Sequence, residues 1–250
     1  MPAVFVHGNP ETPAVWDPLL ARLDRDDVVA LRLPGFGVPA APGFEATKEA
    51  YVDWLVGKLE TIGEPVDLVG HDWGGGFSLR VACTRPDLLN TWVTDVAGLL
   101  DPDYVWHDFA QIWQTPGAGE DYFAGMLATS IDDRVTAYES IGITTAAARS
   151  FAEAMDQEMA RCVLALYRSA AQPAMREWGA DAAAASARPG LVVIPSADPF
   201  TGGPESSLRM AERLGAQATV LDGLGHWWML QDPAHGAEAL TRFWSATRPA

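Results

Sequence analysis

The stretch Gly70-His71-Asp72-Trp73-Gly74-Gly75-Gly76, GHDWGGG, stands between the apolar run PVDLV and the helix-like FSLRVACTRP. Strand, glycine-rich turn and helix in that order, with a G-x-nucleophile-x-G pattern at the turn, is the sequence form of a nucleophile elbow. Such a bend lifts one side chain clear of the end of a sheet. The middle residue is Asp72, where serine is the common choice. Gly70, Gly74 and Gly75 permit the close strand-to-helix approach that a strained turn requires. A glycine-rich turn holding Asp for structural reasons alone has the same look, so the surrounding sequence has to decide.

Outward from this turn, short apolar runs alternate with longer segments of helical spacing, the pattern of a parallel sheet covered on both faces. Six strands are expected, at Ala3–Val6, Val28–Leu31, Val66–Val69, Thr91–Val96, Leu191–Pro195 and Ala218–Leu221. Between them TPAVWDPLLARL, TKEAYVDWLVGKLETIG, GGFSLRVACTRP and PESSLRMAERLG have helical spacing, and several stop at Gly or before Pro. The alternation predicts a doubly wound α/β core. It breaks from about Leu99 to Ala187, where DPDYVWHDFAQIWQTPG and AARSFAEAMDQEMARCVLALYRSAAQP read as helices with no buried strand. The Ala-rich GADAAAASARPG then reads as a short helix leading back to the sheet. The expected organisation is core in residues 1–98, a helical cap in 99–187 and core again in 188–250. The cap would cover the strand ends, where open α/β sheets bind ligands.

A chain of 250 residues suffices for one such unit with an insertion. Its 48% hydrophobic residues place it among globular proteins, and ten Trp suit either a core or an apolar pocket. With 17 Lys+Arg against 33 Asp+Glu, the formal charge of −16 disfavours nucleic acid and anionic membranes as partners. A small, uncharged, apolar substrate fits better. Cys83 and Cys162 lie in apolar, helix-like surroundings without metal or disulfide spacing and read as inert thiols. The opening MPAVFVH enters a strand without a basic region, an apolar signal or a cleavage site, and no run approaches the ~18 apolar residues of a membrane span. A cytoplasmic protein is expected, with homo-oligomer formation left open.

Three further motifs fit the elbow. HGNP, His7–Pro10, ends the first strand, where a loop in this architecture supplies one oxyanion-hole N–H while the residue after the nucleophile supplies the other. That nominates the N–H groups of Asn9 and Trp73, although an ordinary Gly-Asn-Pro turn reads the same way. LDGLGHWWMLQDP places His226 after the last strand, and a base that follows nucleophile and acid in the chain matches the triad order of this architecture. VVIPSADPFTGG puts Asp198 just past its strand, where a carboxylate can take the Nδ1–H of His226 and hold its tautomer. Asp95, at the end of the preceding strand, is the alternative acid, and Asp198 is preferred.

From HGNPET through GHDWGG to GHWWMLQDP, nearly the whole chain resembles the aspartate-nucleophile α/β-hydrolases, the group that contains epoxide hydrolases and haloalkane dehalogenases. It departs from them at the start, since members usually carry two more N-terminal strands. The resemblance implies an α/β-hydrolase fold with those strands missing, no metal and no organic cofactor, and water as second substrate. An ionised carboxylate needs no base to attack, and its suitable target is a saturated carbon with a leaving group. The implied intermediate is an alkyl ester on Asp72 that His226-activated water cleaves.

The leaving group divides the motifs. In the epoxide hydrolases two cap tyrosines assist ring opening; LALYRS resembles the segment of one and nominates Tyr167, but Phe109 stands where the other is expected. Tyr104, Tyr122 or Trp113 could substitute. Asn9 with Trp73 matches instead the halide-binding pair of the dehalogenases. The Gly74-Gly75 pair, PET, GHWWMLQ and the cap segments favour an epoxide, with halide release as the alternative and a non-catalytic ligand-binding protein as the third reading. Trp106, Phe109, Trp113, Trp227 and Trp228 are expected to line or back the pocket.

Overall fold

The computed structural model describes residues 1–247. Six strands, β1 (Ala3–Val6), β2 (Val28–Leu31), β3 (Val66–Gly70), β4 (Leu89–Thr94), β5 (Gly190–Pro195) and β6 (Gln217–Leu221), form one sheet in the order β2-β1-β3-β4-β5-β6. Every neighbouring pair is parallel. Strand alternation divides the apolar side chains between two faces. Val4, Val6, Val66 and Leu68 enter one buried cluster, whereas Ala3, Phe5, Val69 and Val93 enter the other.

The helices are α1 (Asp17–Leu20), α2 (Lys48–Ile62), α3 (Trp73–Thr84), α4 (Asp108–Gln114), α5 (Ala118–Ala128), α6 (Ile131–Ser140), α7 (Thr145–Ala154), α8 (Gln157–Ser169), α9 (Ala174–Trp178), α10 (Gly203–Leu214), α11 (Trp228–Gln231) and α12 (Pro233–Thr247). Helices α2 and α3 pack their apolar residues into the first cluster, and α12 packs Leu240, Phe243 and Trp244 into the second. Helices α4 to α9 lie between β4 and β5 in the chain, and no strand interrupts them. Among the described residues no helix is long and apolar enough to cross a membrane.

Several boundaries differ from the sequence expectation. Strand β4 begins at Leu89 and ends at Thr94, because its pairing with β3 slips beside Val66 and Asp95 leaves the ladder to bond elsewhere. The long helical run after Ala147 breaks into α7 and α8, since Asp156 accepts the Met159 N–H and caps a new helix. The Ala-rich return is a 3₁₀ segment, Ala182–Ala187, rather than an α-helix.

Candidate active site

The elbow joins β3 to α3 at Asp72, which holds φ 49° and ψ −125°, a conformation uncommon for a residue with a Cβ. Close packing permits it. A Cβ on Gly74 would fall on the carbonyl oxygen of Val6 and within 2.6 Å of that of His7, so only glycine lets α3 start against β1. The Asp72 N–H donates to Asp95 Oδ1 at 3.1 Å, and the Asn9 N–H donates to Asp72 Oδ1 at 2.7 Å. One carboxylate oxygen is thereby occupied, while the other, Oδ2, lies 3.7 Å from His226 Nε2. On the far side of that ring, His226 Nδ1 donates to Asp198 Oδ2 at 2.8 Å, and Asp198 Oδ1 accepts the Phe200 N–H at 2.8 Å.

Asp72, His226 and Asp198 are thus brought into line. Asp95 is not part of that line: its Oδ2 lies 2.5 Å from His71 Nδ1 and accepts the Trp228 indole N–H at 2.7 Å. Asp95 is therefore engaged by His71 under the elbow, while the Nδ1 of His226 has Asp198 as its partner.

Burial pushes the Asp72 carboxyl up to about 6, against the opposing pull of His226 and the Asn9 N–H. Burial opposes charge on His226, but Asp198 outweighs it and raises the imidazole above its ordinary range. For Asp198, the same imidazole overcomes burial and holds the carboxyl low.

A second polar layer lies beneath. His71, wholly buried, has a carboxylate on each ring nitrogen, Asp95 on Nδ1 and Glu11 on Nε2 at 3.0 Å. Burial disfavours its charge, yet the two carboxylates hold its pKa well above the histidine range. Glu11 also accepts the Trp227 indole N–H at 2.7 Å and the Gly8 N–H at 3.0 Å. One imidazolium therefore ties together the elbow, the loop carrying Asn9 and the loop carrying His226. Glu11, His71 and His226 each bring a ligand atom within 4.8 Å of the others. Both nitrogens of a protonated His71 are donors, however, and leave no lone pair for a metal.

A cavity of about 180 Å³ opens over Asp72. Residues of α4, α5, α6 and α8 supply one wall, among them Phe109, Trp113, Tyr122 and Tyr167, and Asn9, His226 and Trp227 supply part of the other. The Tyr167 hydroxyl lies 3.5 Å from Asn9 Nδ2. Burial, with Asp72 nearby, raises its pKa well above the ordinary phenol value, so it stays protonated. Trp106 does not line the cavity. It stacks on Trp73 with centroids 5.9 Å apart and spends its indole N–H on the Ala170 carbonyl at 3.1 Å. Trp228 is likewise buried under the site, against Asp95. Tyr104 donates its hydroxyl to the Phe200 carbonyl at 2.7 Å and is not free to serve as a donor.

Sequence reasoning missed His71, Glu11, His107, Phe200 and Tyr138 as site residues. His71 adjoins the elbow and Glu11 follows HGNP, but nothing in their local spacing says that each will be the other's partner. His107 precedes Phe109 by two residues and lines the same cavity.

Sheet order, the bend at Asp72 and the carboxylate–imidazole–carboxylate line describe an α/β-hydrolase site. The family model for the α/β hydrolase family matches residues 3–239, and the chain belongs to that family. It is 32% identical over 90 residues to (E)-2-((N-methylformamido)methylene)succinate hydrolase of Acinetobacter baylyi, covering 35% of this chain and 34% of that protein. It is 36% identical over 90 residues to a haloalkane dehalogenase of Agrobacterium fabrum, covering 34% and 29%. These matches span about a third of the relatives' lengths. Among solved structures, a provisionally assigned epoxide hydrolase from Pseudomonas aeruginosa superposes with a TM-score of 0.78 at 21% identity, covering 99% of this chain and 89% of that one. A haloalkane dehalogenase from Bradyrhizobium elkani superposes at 0.72 and 19% identity, covering 98% and 91%. At such identities the likeness is one of fold.

Proposed function

We propose that the protein is an epoxide hydrolase that converts a small apolar epoxide to a vicinal diol through an ester on Asp72. The observation that carries this reading is the Tyr167 hydroxyl, protonated and 3.5 Å from the Asn9 amide, in the cavity that Asp72 lines. A donor beside the carboxylate suits an oxygen that must gain a proton as it leaves carbon.

In this mechanism the Asn9 N–H occupies Oδ1, so Oδ2 of Asp72 attacks a ring carbon. The carbon–oxygen bond of the ring breaks, and the oxygen takes the Tyr167 proton. His226, oriented by Asp198, removes a proton from water, which attacks the carboxyl carbon of the ester. The N–H groups of Asn9 and Trp73 stabilise the oxyanion. Collapse releases the diol, which carries one oxygen of Asp72, and water replaces that oxygen in the carboxylate. The proton gained by His226 returns to Tyr167. Residues 99–187 act as the cap over this chemistry, with 1–98 and 188–250 as core.

Both steps depend on pH. Attack needs ionised Asp72, so its rate falls as pH drops below about 6. Ester cleavage needs neutral His226, whose pKa is raised, so this step also rises with pH, with its midpoint above the usual histidine value. Rapid-mixing measurements of ester formation and decay from acid to alkaline pH check both; ester formation that is unchanged well below pH 6 contradicts the assignment.

Asn9 and Trp73 favour a second reading, haloalkane dehalogenation, because an amide and an indole can bind a departing halide. An aryl-alkyl epoxide and a bromoalkane, supplied separately, distinguish the two. Diol without bromide is expected, and bromide without diol overturns the choice.

A further inference from the structure

We infer that His107 is a catalytic residue, its Nε2–H donating a second hydrogen bond to the epoxide oxygen as the ring opens. This deepens the epoxide reading and rests on it.

An oxygen leaving a strained ring has two lone pairs to satisfy, and Tyr167 serves only one. Phe109, where a second hydroxyl was expected, has none. Most of the other donors of the cavity wall are occupied or closed off. Asn9 Nδ2 gives one of its two hydrogens to Tyr167, and the Trp113 indole nitrogen and the Tyr138 hydroxyl are enclosed by packed atoms. Tyr122 remains on the wall, its ring packed against Phe109, Trp113 and Phe123.

His107 combines a place on the wall with an unoccupied donor. It lines the cavity together with Asp72, Tyr167 and His226. Its ring is fixed at an edge-on 5.0 Å from Phe200, which is itself 5.1 Å from the His226 ring, and at 6.4 Å from the Tyr167 ring. Its Nδ1 accepts the Ala110 N–H at 3.3 Å as the cap of α4. A ring nitrogen that accepts a backbone N–H carries no hydrogen, so in the neutral ring the proton resides on Nε2. That atom has no protein partner among the described residues and is not enclosed. Burial and the nearby His226 push the imidazole down to about 4, so the ring is neutral wherever Asp72 is ionised.

The step balances without further reagents. Asp72 Oδ2 bonds to carbon, the ring bond's electron pair goes to oxygen, Tyr167 supplies the proton, and His107 keeps its own while its N–H stabilises the developing charge.

His107→Asn separates this role from capping. Asparagine is a good helix cap and keeps an acceptor for the Ala110 N–H, but it has no donor at the distance of Nε2. Single-turnover ester formation with an aryl-alkyl epoxide is expected to slow by roughly 10²-fold. Decay of the ester and the melting temperature should be unchanged. His107→Gln, which carries an N–H₂ near the place of Nε2, should recover part of the rate. Unchanged ester formation in His107→Asn overturns the inference, as does an equal fall in ester formation and ester decay. If the unaltered protein forms no ester with an epoxide, the epoxide reading itself fails, which is a different result.

Discussion

Asp72→Ala loses turnover by on the order of 10⁴-fold or more, while the fold and the affinity for a non-reacting diol remain. Removing a nucleophile from a working triad has effects of this size elsewhere, because the remaining groups then have nothing to act upon. The geometry gives the reason here. His226 Nε2 faces Asp72 Oδ2 at 3.7 Å, and among the described residues no other carboxylate is placed both beside that nitrogen and on the cavity wall. Asp198 is committed to Nδ1 of the same ring, and Glu11 and Asp95 to His71. The substitution also removes a carboxylate whose ionised form burial disfavours, so the protein should be no less stable. Diol formation by gas chromatography and thermal melting check the two halves. Residual turnover within about tenfold of the unaltered protein would remove Asp72 from the mechanism.

His71→Leu has the largest expected effect on stability. It leaves Glu11 and Asp95 buried, facing each other without the cation between them. Breaking a buried ion pair by removing one partner costs about 3–5 kcal/mol. At about 2–4 °C per kcal/mol for a chain of this size, the melting temperature falls by roughly 10 °C. The sign of its pH dependence follows from the same charges. Without the imidazolium the two carboxyls have raised pKa values in the folded state, so the loss is smallest in acid and grows as pH rises through them. Turnover falls as well, since Gly8, the elbow N–H of Asp72 and Trp227 hold the three loops through these carboxylates. Melting curves across pH test this, and a variant as stable as the parent at neutral pH would show that His71 is not a counter-ion.

How far the sequence reached depends on the range of the interaction. Strands β1 and β2 were legible to the residue, because Ala3–Val6 and Val28–Leu31 are short apolar runs bounded by polar turns. Asp72 was legible because a strained turn needs its glycines close by in the chain. Asp198 and His226 followed from chain order. The end of β4 was not legible, since Thr91–Val96 reads as one strand of β-branched and aromatic residues and the bond from the elbow to Asp95 goes with its end at Thr94. Partnerships across the fold were out of reach. Glu11 and His71 are 60 residues apart, and Trp227 reaches Glu11 over 216. Trp106 shows the converse: an aromatic residue in a cap segment suggests a pocket wall, whereas its N–H is used inside the cap and its face covers Trp73.

The central claim is that Asp72 becomes an ester and is then cleaved at its own carboxyl carbon. A single turnover of excess protein with an epoxide in ¹⁸O-water, followed by mass spectrometry of the peptide that contains Asp72, tests it most directly. The account predicts one ¹⁸O atom in the Asp72 carboxylate and none in the first diol released. Label in that diol with an unlabelled Asp72 would mean that water attacks the substrate directly, and would contradict it.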